Sequence, residues 1–347
     1  MNILFANYGD FSTNSLNHIG PFANYLSEHG HNCIVAVPSR LETVSNLEKA
    51  FFQPATFGDI LNVPNHFPNS KPADIVHAWT PRITVVEFVE RYLTKHKCKV
   101  VTHLEDNERA LIESYYRQPF ESLRDSGLPT EFHRWDKSLS HPVAHTAFLA
   151  LSDGVTAVTR SLLEFAFPDR PAMELLPGLP ERRHPSAEEL LEARKRFGIA
   201  ADEKVIVYPG SITSANREDV RSLYLAVKLL RERGLNVRLI KTGPNVERFK
   251  RSFGYDLSES VLDLGIVPKA LIPQLLAMAS LLVQPGKADE LNRYRLPSKL
   301  PEFLDAAKPV ITAKTNIGLE MTDGEHCLFI HESSPTEIAD ACQCILS

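Results

Sequence analysis

The sequence predicts an α/β protein of two successive domains, each a parallel sheet with helices on its faces. Short apolar runs typical of strands alternate with segments of helical spacing along the whole chain, which is the pattern of βαβ units. The length of 347 residues is typical of two domains. A stretch with five prolines, residues 168–185, breaks the alternation near mid-chain. We therefore expect domains at residues 1–170 and 188–347, joined by a linker at 171–187.

The first domain is expected to begin with a strand at residues 2–8, a polar loop at 9–17 and a helix at 18–29. Gly30 is a good C-cap for that helix because glycine adopts the left-handed conformation at little cost. Residues 105–146 hold scattered aromatic side chains and little strand character, so we expect helices there. The other expected elements are a helix at 85–92 and strands at 33–38, 74–79, 99–104 and 153–159.

The second domain repeats the same alternation, and a short strand at 173–176 lies in the linker before it. The expected helices cover 188–197, 219–233, 273–280 and a last segment from Pro335. The expected strands cover 204–210, 236–243, 261–265, 281–285, 309–314 and 327–332. Ligands of open parallel sheets bind beyond the carboxyl ends of the strands. With two such domains, we expect the ligand in a cleft between them.

The composition is that of a soluble globular protein, with 43% hydrophobic and 23% charged residues. A net charge of −5 gives no support to nucleic acid as a partner. Five cysteines without zinc-type spacing favour a reducing, cytoplasmic location, and no signal peptide or membrane span is expected. Two basic clusters are read as solvated helix faces, or alternatively as a peripheral contact with the inner face of a membrane. They contain Arg91, Lys95, Lys97 and Lys99, and Arg231, Arg233 and Arg238.

The most informative stretch is residues 289–309. Pro301 is tolerated in a helix only near its first turn. If Leu300, Phe303 and later apolar residues form one helix face, the helix begins near Ser298, which would then be its N-cap. The amides of Lys299 and Leu300 would be left unpaired at the positive end of the helix dipole.

Charge adds to this helix start. Lys299, Arg295 and Arg293 supply cations, so the stretch is expected to bind an anion of phosphate character. Glu302 has two acceptor oxygens and suits a pair of neighbouring hydroxyls. An anion-binding position beside a position that binds two neighbouring hydroxyls indicates a nucleotide with a diphosphate and a ribose. The alternative is an ordinary capped helix with a surface glutamate.

With these residues in view, the chain resembles the GT-B glycosyltransferases, and among them the retaining glycosyltransferase family 4. The segment LPSKLPEF, residues 296–303, is similar to a variant of the family's donor loop. Glu302 matches the family's ribose-binding glutamate and is followed by FLDAAKPV, similar to the family's E-A-M-A-x-G-x-P-V. Tyr294 stands where the family has an earlier acid. Asp289 or Glu290 would replace that acid if the loop folds back.

The resemblance continues in two other donor segments. Gly210 matches the glycine of the family's G-R…K-G segment, whose arginine and lysine clamp the diphosphate. Ser211 stands at the arginine position, and Arg217 lies close to the expected lysine. The segment LDLGIVP is similar to the family's F-x-G-x-V turn, which implies that backbone around Val267 meets the nucleobase.

The first domain carries the remaining resemblance. Its opening is similar to the family's, with Thr13 and Asn14 where the family has two glycines and His18 in place of the family's His-Val histidine. That loop approaches the donor phosphates and the acceptor in the family. The strand KVVTHL is similar to the family's V-x-T-x-H strand, which implies that His103 lies against the transferred sugar. Glu105 would bind sugar hydroxyls; a structural histidine and a solvated loop acid are the alternatives.

The resemblance implies two Rossmann-like domains facing each other across a cleft. It implies transfer of a sugar from a UDP- or GDP-sugar to a hydroxyl of a glycan, a lipid-linked or a small-molecule acceptor, in carbohydrate biosynthesis. Retention of configuration and the absence of any metal or cofactor requirement are implied too. An inverting enzyme would need a general base, for which Glu105 and Asp106 are the first candidates. The alternatives are a nucleotide-sugar-binding protein without catalysis and a sugar-nucleotide epimerase. The segment 105–146 is expected to help shape the acceptor site. Packing between half-buried helices is the favoured role of its aromatic residues, and contact with a sugar or a lipid-linked glycan is the alternative; they are Tyr115, Tyr116, Phe120, Phe132 and Trp135.

Overall fold

The structure is a computed structural model of the chain. It describes residues 1–47, 49–63, 66–126, 133–179, 183–213, 216–246, 249, 253–254 and 259–347, without the side chain of Leu291. Two compact units form. The first unit comprises Met1–Pro180 with Tyr294–Leu296, and the second comprises Glu181–Arg293 with Pro297–Ser347.

The first unit is built on a seven-stranded sheet with the order β3-β2-β1-β4-β5-β6-β7, in which all neighbouring strands are parallel. Its strands are β1 (Asn2–Asn7), β2 (Asn32–Val37), β3 (Gln53–Thr56), β4 (Ile75–Trp79), β5 (Lys99–Leu104), β6 (Gly154–Ala157) and β7 (Ala172–Glu174). Side chains of β1 are buried on both faces: Leu4 and Ala6 join one core, and Ile3 and Phe5 join the other. Burial on both faces is what a parallel sheet covered by helices requires.

Helices cover both faces of this sheet. They are α1 (Leu16–Glu28), α2 (Phe57–Asn62), α3 (Ile83–Leu93), α4 (Glu108–Tyr116), α5 (Phe120–Ser126) and α6 (Ala144–Leu151). The core with Leu4 takes in side chains of α2, α3 and α6, and the core with Phe5 takes in α1. The helix α1 ends as expected, because Gly30 has φ of 84°.

The second unit holds a six-stranded parallel sheet with the order β10-β9-β8-β11-β12-β13. Its strands are β8 (Lys204–Tyr208), β9 (Val237–Lys241), β10 (Val261–Asp263), β11 (Leu281–Val283), β12 (Val310–Ala313) and β13 (Leu328–Ile330). Its helices are α7 (Ala187–Arg196), α8 (Arg217–Glu232), α9 (Ile272–Met278), α10 (Glu290–Arg293), α11 (Leu300–Asp305) and α12 (Pro335–Leu346). One core joins α8 and α12 to the sheet, and the other joins α7, α9 and α11.

The prediction of two parallel α/β sheets is therefore confirmed, while some of its details were missed. The strand β3 and the helix α2 were not expected, because Gln53 and Pro54 lack the apolar alternation of a strand. The expected strand at 173–176 forms as β7 and pairs with β6 in the first sheet. The segment Tyr294–Leu296 groups with the first unit although both of its flanks belong to the second.

The segment predicted to be helical in the first domain forms α4 and α5. Tyr116 and Trp135 pack against a small core of Ile112, Phe120 and Leu123. Of the five aromatic residues proposed for an acceptor site, Tyr115 is exposed and Phe132 lies outside the described residues. In the described part of the chain, no helix combines the length and apolar character needed to cross a membrane.

Candidate functional site

In the first unit, a polar cluster lies at the carboxyl ends of the central strands. His103 is near the end of β5 and Glu105 directly follows it, while His18 lies in the first turns of α1. Because the carboxyl ends of parallel strands share one edge, residues far apart in the sequence meet there. A ring nitrogen of each histidine and a carboxylate oxygen of Glu105 lie within 4.8 Å of one another. The structure thus brings together three of the predicted site residues.

Glu105 is the centre of this cluster. Its Oε1 accepts a hydrogen bond from the indole N–H of Trp79 at 2.8 Å and lies 3.0 Å from Nδ1 of His18. Its Oε2 accepts a hydrogen bond from the hydroxyl of Ser15. Burial acts to raise the pKa of Glu105, but contacts with His18, His103 and Ser15 outweigh it and lower the pKa to about 2. The carboxylate is therefore ionised at neutral pH, and its low pKa makes it a weak proton acceptor.

His103 is fully buried, and its ring stacks on Trp79 with centroids 3.9 Å apart. Its Nδ1 lies 2.9 Å from the hydroxyl oxygen of Thr156 on the neighbouring strand β6. Its Nε2 is buried without a hydrogen-bond partner among the described residues. Burial lowers the pKa of His103 well below its usual value, so the ring is neutral. A neutral imidazole with one nitrogen held and the other available is suited to contact a polar ligand.

Asp106 belongs to a different cluster. It lies 3.2 Å from Arg82, which also lies 3.4 Å from Glu108 and stacks over the ring of Tyr8. Glu108 in turn accepts a hydrogen bond from the hydroxyl of Ser140 at 2.8 Å. Burial raises the pKa of Asp106 in spite of Arg82. This buried ion-pair network joins α4 to the loop after β4, so its evident role is structural.

The cluster of His18, His103 and Glu105 has the donor set of a zinc site with two histidines and one carboxylate. Among the described residues it is the one group with suitably close ligand atoms. This cluster was not predicted, because the three residues have no spacing typical of metal ligands. The indole N–H of Trp79 already points at Oε1 of Glu105, so a bound ion would share that oxygen with a hydrogen bond.

In the second unit, two glycine turns meet at the carboxyl ends of β8 and β9. Gly210 has φ of 122° and Gly243 has φ of 78°, which only glycine adopts freely. A Cβ on Gly243 would lie 2.7 Å from the carbonyl carbon of Gly210. A Cβ on Gly210 would lie 2.7 Å from Cε of Lys299, whose ammonium is 4.8 Å from the ring centroid of Tyr208. The structure thus brings Lys299 to the end of β8.

The start of α11 differs from the prediction. The helix begins at Leu300, Lys299 is its N-cap residue without a side-chain capping bond, and Ser298 is exposed. The amide of Leu300 donates to the carbonyl of Pro297 at 2.9 Å, so it is not the unpaired donor that was expected. Ser298 as N-cap and Leu300 as an anion-binding amide are therefore wrong. The reason is a tight turn at Pro297 that closes the helix start with its own backbone. Glu302 lies half-buried in the first turn of α11.

The residues just before α11 lie elsewhere. Tyr294 is buried in the first unit, where its hydroxyl hydrogen-bonds Glu164 and its ring contacts Phe165. Arg295 is exposed in the same unit and exerts an attraction on Asp106. The structure therefore groups Arg295 with the first unit and does not group it with Lys299. Arg293 is exposed and lies at the end of α10.

The other predicted residues lie in loops or at helix starts. Ser211 is exposed, Arg217 opens α8 at 3.6 Å from Glu218, and Val267 is half-buried in the loop after β10. Asn14 is exposed in the loop before α1. Asp289 accepts a hydrogen bond from the amide of Asn292, and Glu290 lies 3.8 Å from Arg293.

Three contributors were missed by the sequence: Trp79, Ser15 and Gly243. Trp79 ends a predicted strand, so its position at the carboxyl edge could have been inferred from that prediction. Ser15 lies in the predicted polar loop, but its partner Glu105 is 90 residues away. Gly243 ends a predicted strand, and Gly210 ends another. Two strands that both end in glycine were the sequence signal from which the contribution of Gly243 could have been predicted.

Comparison with known proteins agrees with this architecture. Residues 203–347 match the family described as Glycosyl transferases group 1. No curated protein sequence matches the chain significantly.

Solved structures with the same fold span nearly the whole chain. Anabaena HepE in complex with UDP and glucose has a TM-score of 0.68 and 15% identity, covering 99% of this chain and 90% of that one. Sucrose-phosphate synthase from Thermosynechococcus elongatus has a TM-score of 0.67 and 12% identity, covering 100% and 90%. WaaG, a glycosyltransferase involved in lipopolysaccharide biosynthesis, has a TM-score of 0.62 and 16% identity, covering 99% and 90%. The fold is that of the GT-B glycosyltransferases, as predicted.

Proposed function

We propose that the protein is a glycosyltransferase that moves a sugar from a nucleoside-diphosphate sugar to an acceptor hydroxyl. The family match of the second unit and the UDP bound to the similar HepE fold support a nucleotide-sugar donor. UDP- and GDP-sugars are the donors to test first. The acceptor class proposed is a glycan, a lipid-linked glycan or a small molecule. The proposed setting is carbohydrate biosynthesis in the cytoplasm, with a peripheral contact at the inner face of the membrane as a further option.

The observation that carries this proposal is the position of Lys299. Its side chain lies against Gly210, at the end of β8 where parallel sheets bind ligands. Ser211 provides no cation at the adjoining position, where the resembling family has an arginine. Lys299 reaches the same turn from a different element and would supply that missing positive charge. A cation there stabilises the diphosphate as negative charge develops on the leaving group.

The remaining donor residues fit around this point. The glycines at 210 and 243 allow the two turns and the side chain of Lys299 to pack closely together, which keeps the ammonium at the end of β8. Glu302, in the first turn of α11, would accept hydrogen bonds from the ribose hydroxyls. Backbone around Val267 would meet the base, and Arg217 at the start of α8 would add a second cation. These roles follow the family resemblance. Arg295 and Ser298, also predicted as donor-binding residues, would contribute less to donor binding.

In the first unit, His103 is proposed to contact the transferred sugar. The ionised Glu105, with His18 and the loop at Asn14, would hold hydroxyls on the acceptor side. Because the pKa of Glu105 is about 2, its oxygens accept hydrogen bonds and are weak proton acceptors at neutral pH. We propose a retaining reaction, in which the departing phosphate takes the acceptor proton and no protein base is required.

A thermal-shift panel of UDP- and GDP-sugars, each tested with and without EDTA, examines the donor proposal. We expect one nucleotide sugar to stabilise the protein clearly, equally with the chelator present. No stabilisation by any of them would refute the donor site, and stabilisation only with a divalent metal would refute metal independence. Glu302→Ala should weaken the binding severalfold, while Glu325→Ala, which removes an exposed glutamate of the second unit, should not.

The chemistry is then tested with the donor found. Transfer to an acceptor with retained anomeric configuration, read by NMR of the product, is the expected result. Binding without transfer to any acceptor would favour the nucleotide-sugar-binding alternative. Interconversion of the donor sugar without an acceptor would favour the epimerase alternative.

A further inference from the structure

A second buried histidine lies on the strand next to that of His103 and has no role in the proposed reaction. His77, on β4, is buried, and its Nε2 lies 2.9 Å from the hydroxyl oxygen of Thr156. Nδ1 of His103 lies 2.9 Å from the same oxygen. The hydroxyl of Thr156 therefore bridges two imidazole rings.

A hydroxyl has one proton and two lone pairs, and in the described part of the chain the Thr156 hydroxyl has no hydrogen-bond partner besides these two rings. Its proton is therefore donated to one ring, and its oxygen accepts from the other. Burial lowers the pKa of His77 to about 3 and that of His103 well below its usual value, so both rings are neutral. Two arrangements satisfy these contacts. In the first, His77 Nε2–H donates to Thr156, Thr156 donates to His103 Nδ1, and His103 is protonated at Nε2. In the second, His103 Nδ1–H donates to Thr156, Thr156 donates to His77 Nε2, and Nε2 of His103 has a lone pair.

The surroundings of His103 favour the first arrangement. A ring nitrogen of His103 lies within 4.8 Å of the carboxylate of Glu105, which is ionised. Because Nδ1 is engaged by Thr156 and Nε2 has no partner among the described residues, we infer that Nε2 is the nitrogen that responds to the negative charge of Glu105. An N–H dipole beside a carboxylate is attractive, whereas a lone pair is repelled. Burial strengthens this preference because the local dielectric constant is low.

We propose that His77 and Thr156 are positioning residues that hold His103 as its Nε2–H tautomer, a hydrogen-bond donor toward the bound sugar. Nε2 is buried without a partner among the described residues, so a ligand oxygen would satisfy it. Next to it, Glu105 offers only acceptors. A sugar hydroxyl that accepts from His103 and donates to Glu105 would satisfy both groups. This last step rests on the proposed function, whereas the tautomer does not.

The tautomer is measured directly by NMR of the full-length protein with ¹⁵N-labelled histidine rings, without any ligand. The His103 signals are identified by their loss in His103→Gln. We expect a protonated Nε2 and an unprotonated Nδ1 at neutral pH. A protonated Nδ1 with an unprotonated Nε2, or a doubly protonated ring, would overturn the proposal. This experiment needs no substitution in the relay, the hydrogen-bonded chain from His77 through Thr156 to His103.

The relay itself is tested with Thr156→Val and Thr156→Ser. Removing the hydroxyl should mix the two tautomers of His103 and lower kcat about tenfold, the size of one hydrogen bond, with KM for the donor changing less. Serine keeps the hydroxyl and should restore both. Thr102→Val is the matched control, since Thr102 is a buried threonine on the opposite face of β5 whose hydroxyl bonds Ser152 at 2.7 Å. An unchanged His103 spectrum in folded Thr156→Val would refute the relay.

The outcomes separate the two proposals. If no nucleotide sugar binds but His103 is the Nε2–H tautomer and shifts in Thr156→Val, the proposed function fails and the relay stands. If transfer is found but His103 is the Nδ1–H tautomer, the relay fails and the proposed function stands.

Discussion

The carboxyl edges of the two sheets differ in the interactions that shape them. At the first edge, side chains satisfy one another: Glu105 takes hydrogen bonds from Trp79 and Ser15, and His103 is held by Thr156. At the second edge, the decisive feature is backbone space, because Gly210 and Gly243 pack in direct contact. The same sheet architecture thus holds a charged, hydrogen-bonded cluster in one unit and two closely packed backbone turns in the other.

This difference has a physical consequence for each edge. A network of buried polar groups is sensitive to loss of any single partner, since the remaining group stays buried and unsatisfied. A glycine turn is sensitive instead to any added atom, whatever its polarity. Changes of charge should therefore damage the first edge most, and changes of volume the second. The predictions below test this contrast in order of decreasing effect.

Gly243→Ala should have the largest effect. Alanine must adopt φ near 78°, and its Cβ would lie 2.7 Å from backbone atoms of Gly210, which cannot move as a flexible side chain would. We expect a loss of about 4 kcal/mol in the free energy of unfolding and at least a tenfold loss of nucleotide affinity. Chemical denaturation and a binding titration measure the two.

Gly234→Ala is the matched control for this change. Gly234 has φ of 89°, and a Cβ there would meet nothing within 4 Å. It therefore reports backbone strain without a clash, and a loss of about 1 kcal/mol with unchanged nucleotide affinity is expected. Equal losses for the two variants would mean that the contact between Gly210 and Gly243 does not matter.

Glu105→Gln tests the first edge. The pKa of Glu105 is lowered from 4.5 to about 2, so its charge stabilises the folded state above pH 4.5. That stabilisation is lost as the pH falls from 4.5 to 2. A shift of this size corresponds to about 3 kcal/mol in the free energy of unfolding. The wild type should therefore exceed the variant in stability by about this amount at pH 7, with the gap closing near pH 2.

The difference between the two proteins is the quantity to measure. Burial raises the pKa values of Asp106 and Glu108, which gives them the opposite pH dependence, but both proteins contain them. Subtracting the two denaturation curves over pH removes the contribution of Glu108 and leaves of Asp106 only the smaller part that depends on the charge of Glu105. A gap that does not change between pH 7 and pH 3 would show that the charge of Glu105 is not stabilised by its neighbours.

Lys299→Met tests whether the second edge also needs charge. Removing the ammonium next to Gly210 should weaken nucleoside-diphosphate binding about tenfold, with little change in stability. The loss should shrink as the salt concentration rises, because salt screens the interaction. Lys195→Met, an exposed lysine on α7, is the control and should bind as the wild type does. Unchanged affinity in Lys299→Met would remove the main support for the donor site.

The fold could be predicted from the sequence because its signals are local. The apolar runs of β1 and β5 and the spacing of α8 are legible in single windows of the chain. The strand β3 was missed because an edge strand with Gln53 and Pro54 has little apolar alternation. Prediction therefore succeeded where burial gives the apolar residues a regular spacing, and it failed for a short strand at the edge of the sheet.

The candidate site was less predictable, since its contacts join distant segments. His103 and Glu105 were singled out by position after a strand, but Trp79 lies 26 residues from Glu105 and Ser15 lies 90 residues from it. A hydrogen bond between such residues leaves no spacing to find. Lys299 was predicted as a cation of the donor loop, while its place against Gly210 depends on how α11 and β8 pack together in the second unit.

Ser298→Ala should have the smallest effect. The sequence predicted Ser298 as the N-cap of α11, but the structure places it exposed and without a capping role, because Lys299 is the N-cap residue. We expect a change of less than about 0.5 kcal/mol in the free energy of unfolding. Ser186→Ala provides the contrast, since Ser186 caps α7 in a reciprocal pair with Glu189 and should cost about 1 kcal/mol. If Ser298→Ala also cost about 1 kcal/mol in denaturation, the start of α11 would be capped by Ser298 in solution, and the amide of Leu300 would be available to an anion after all.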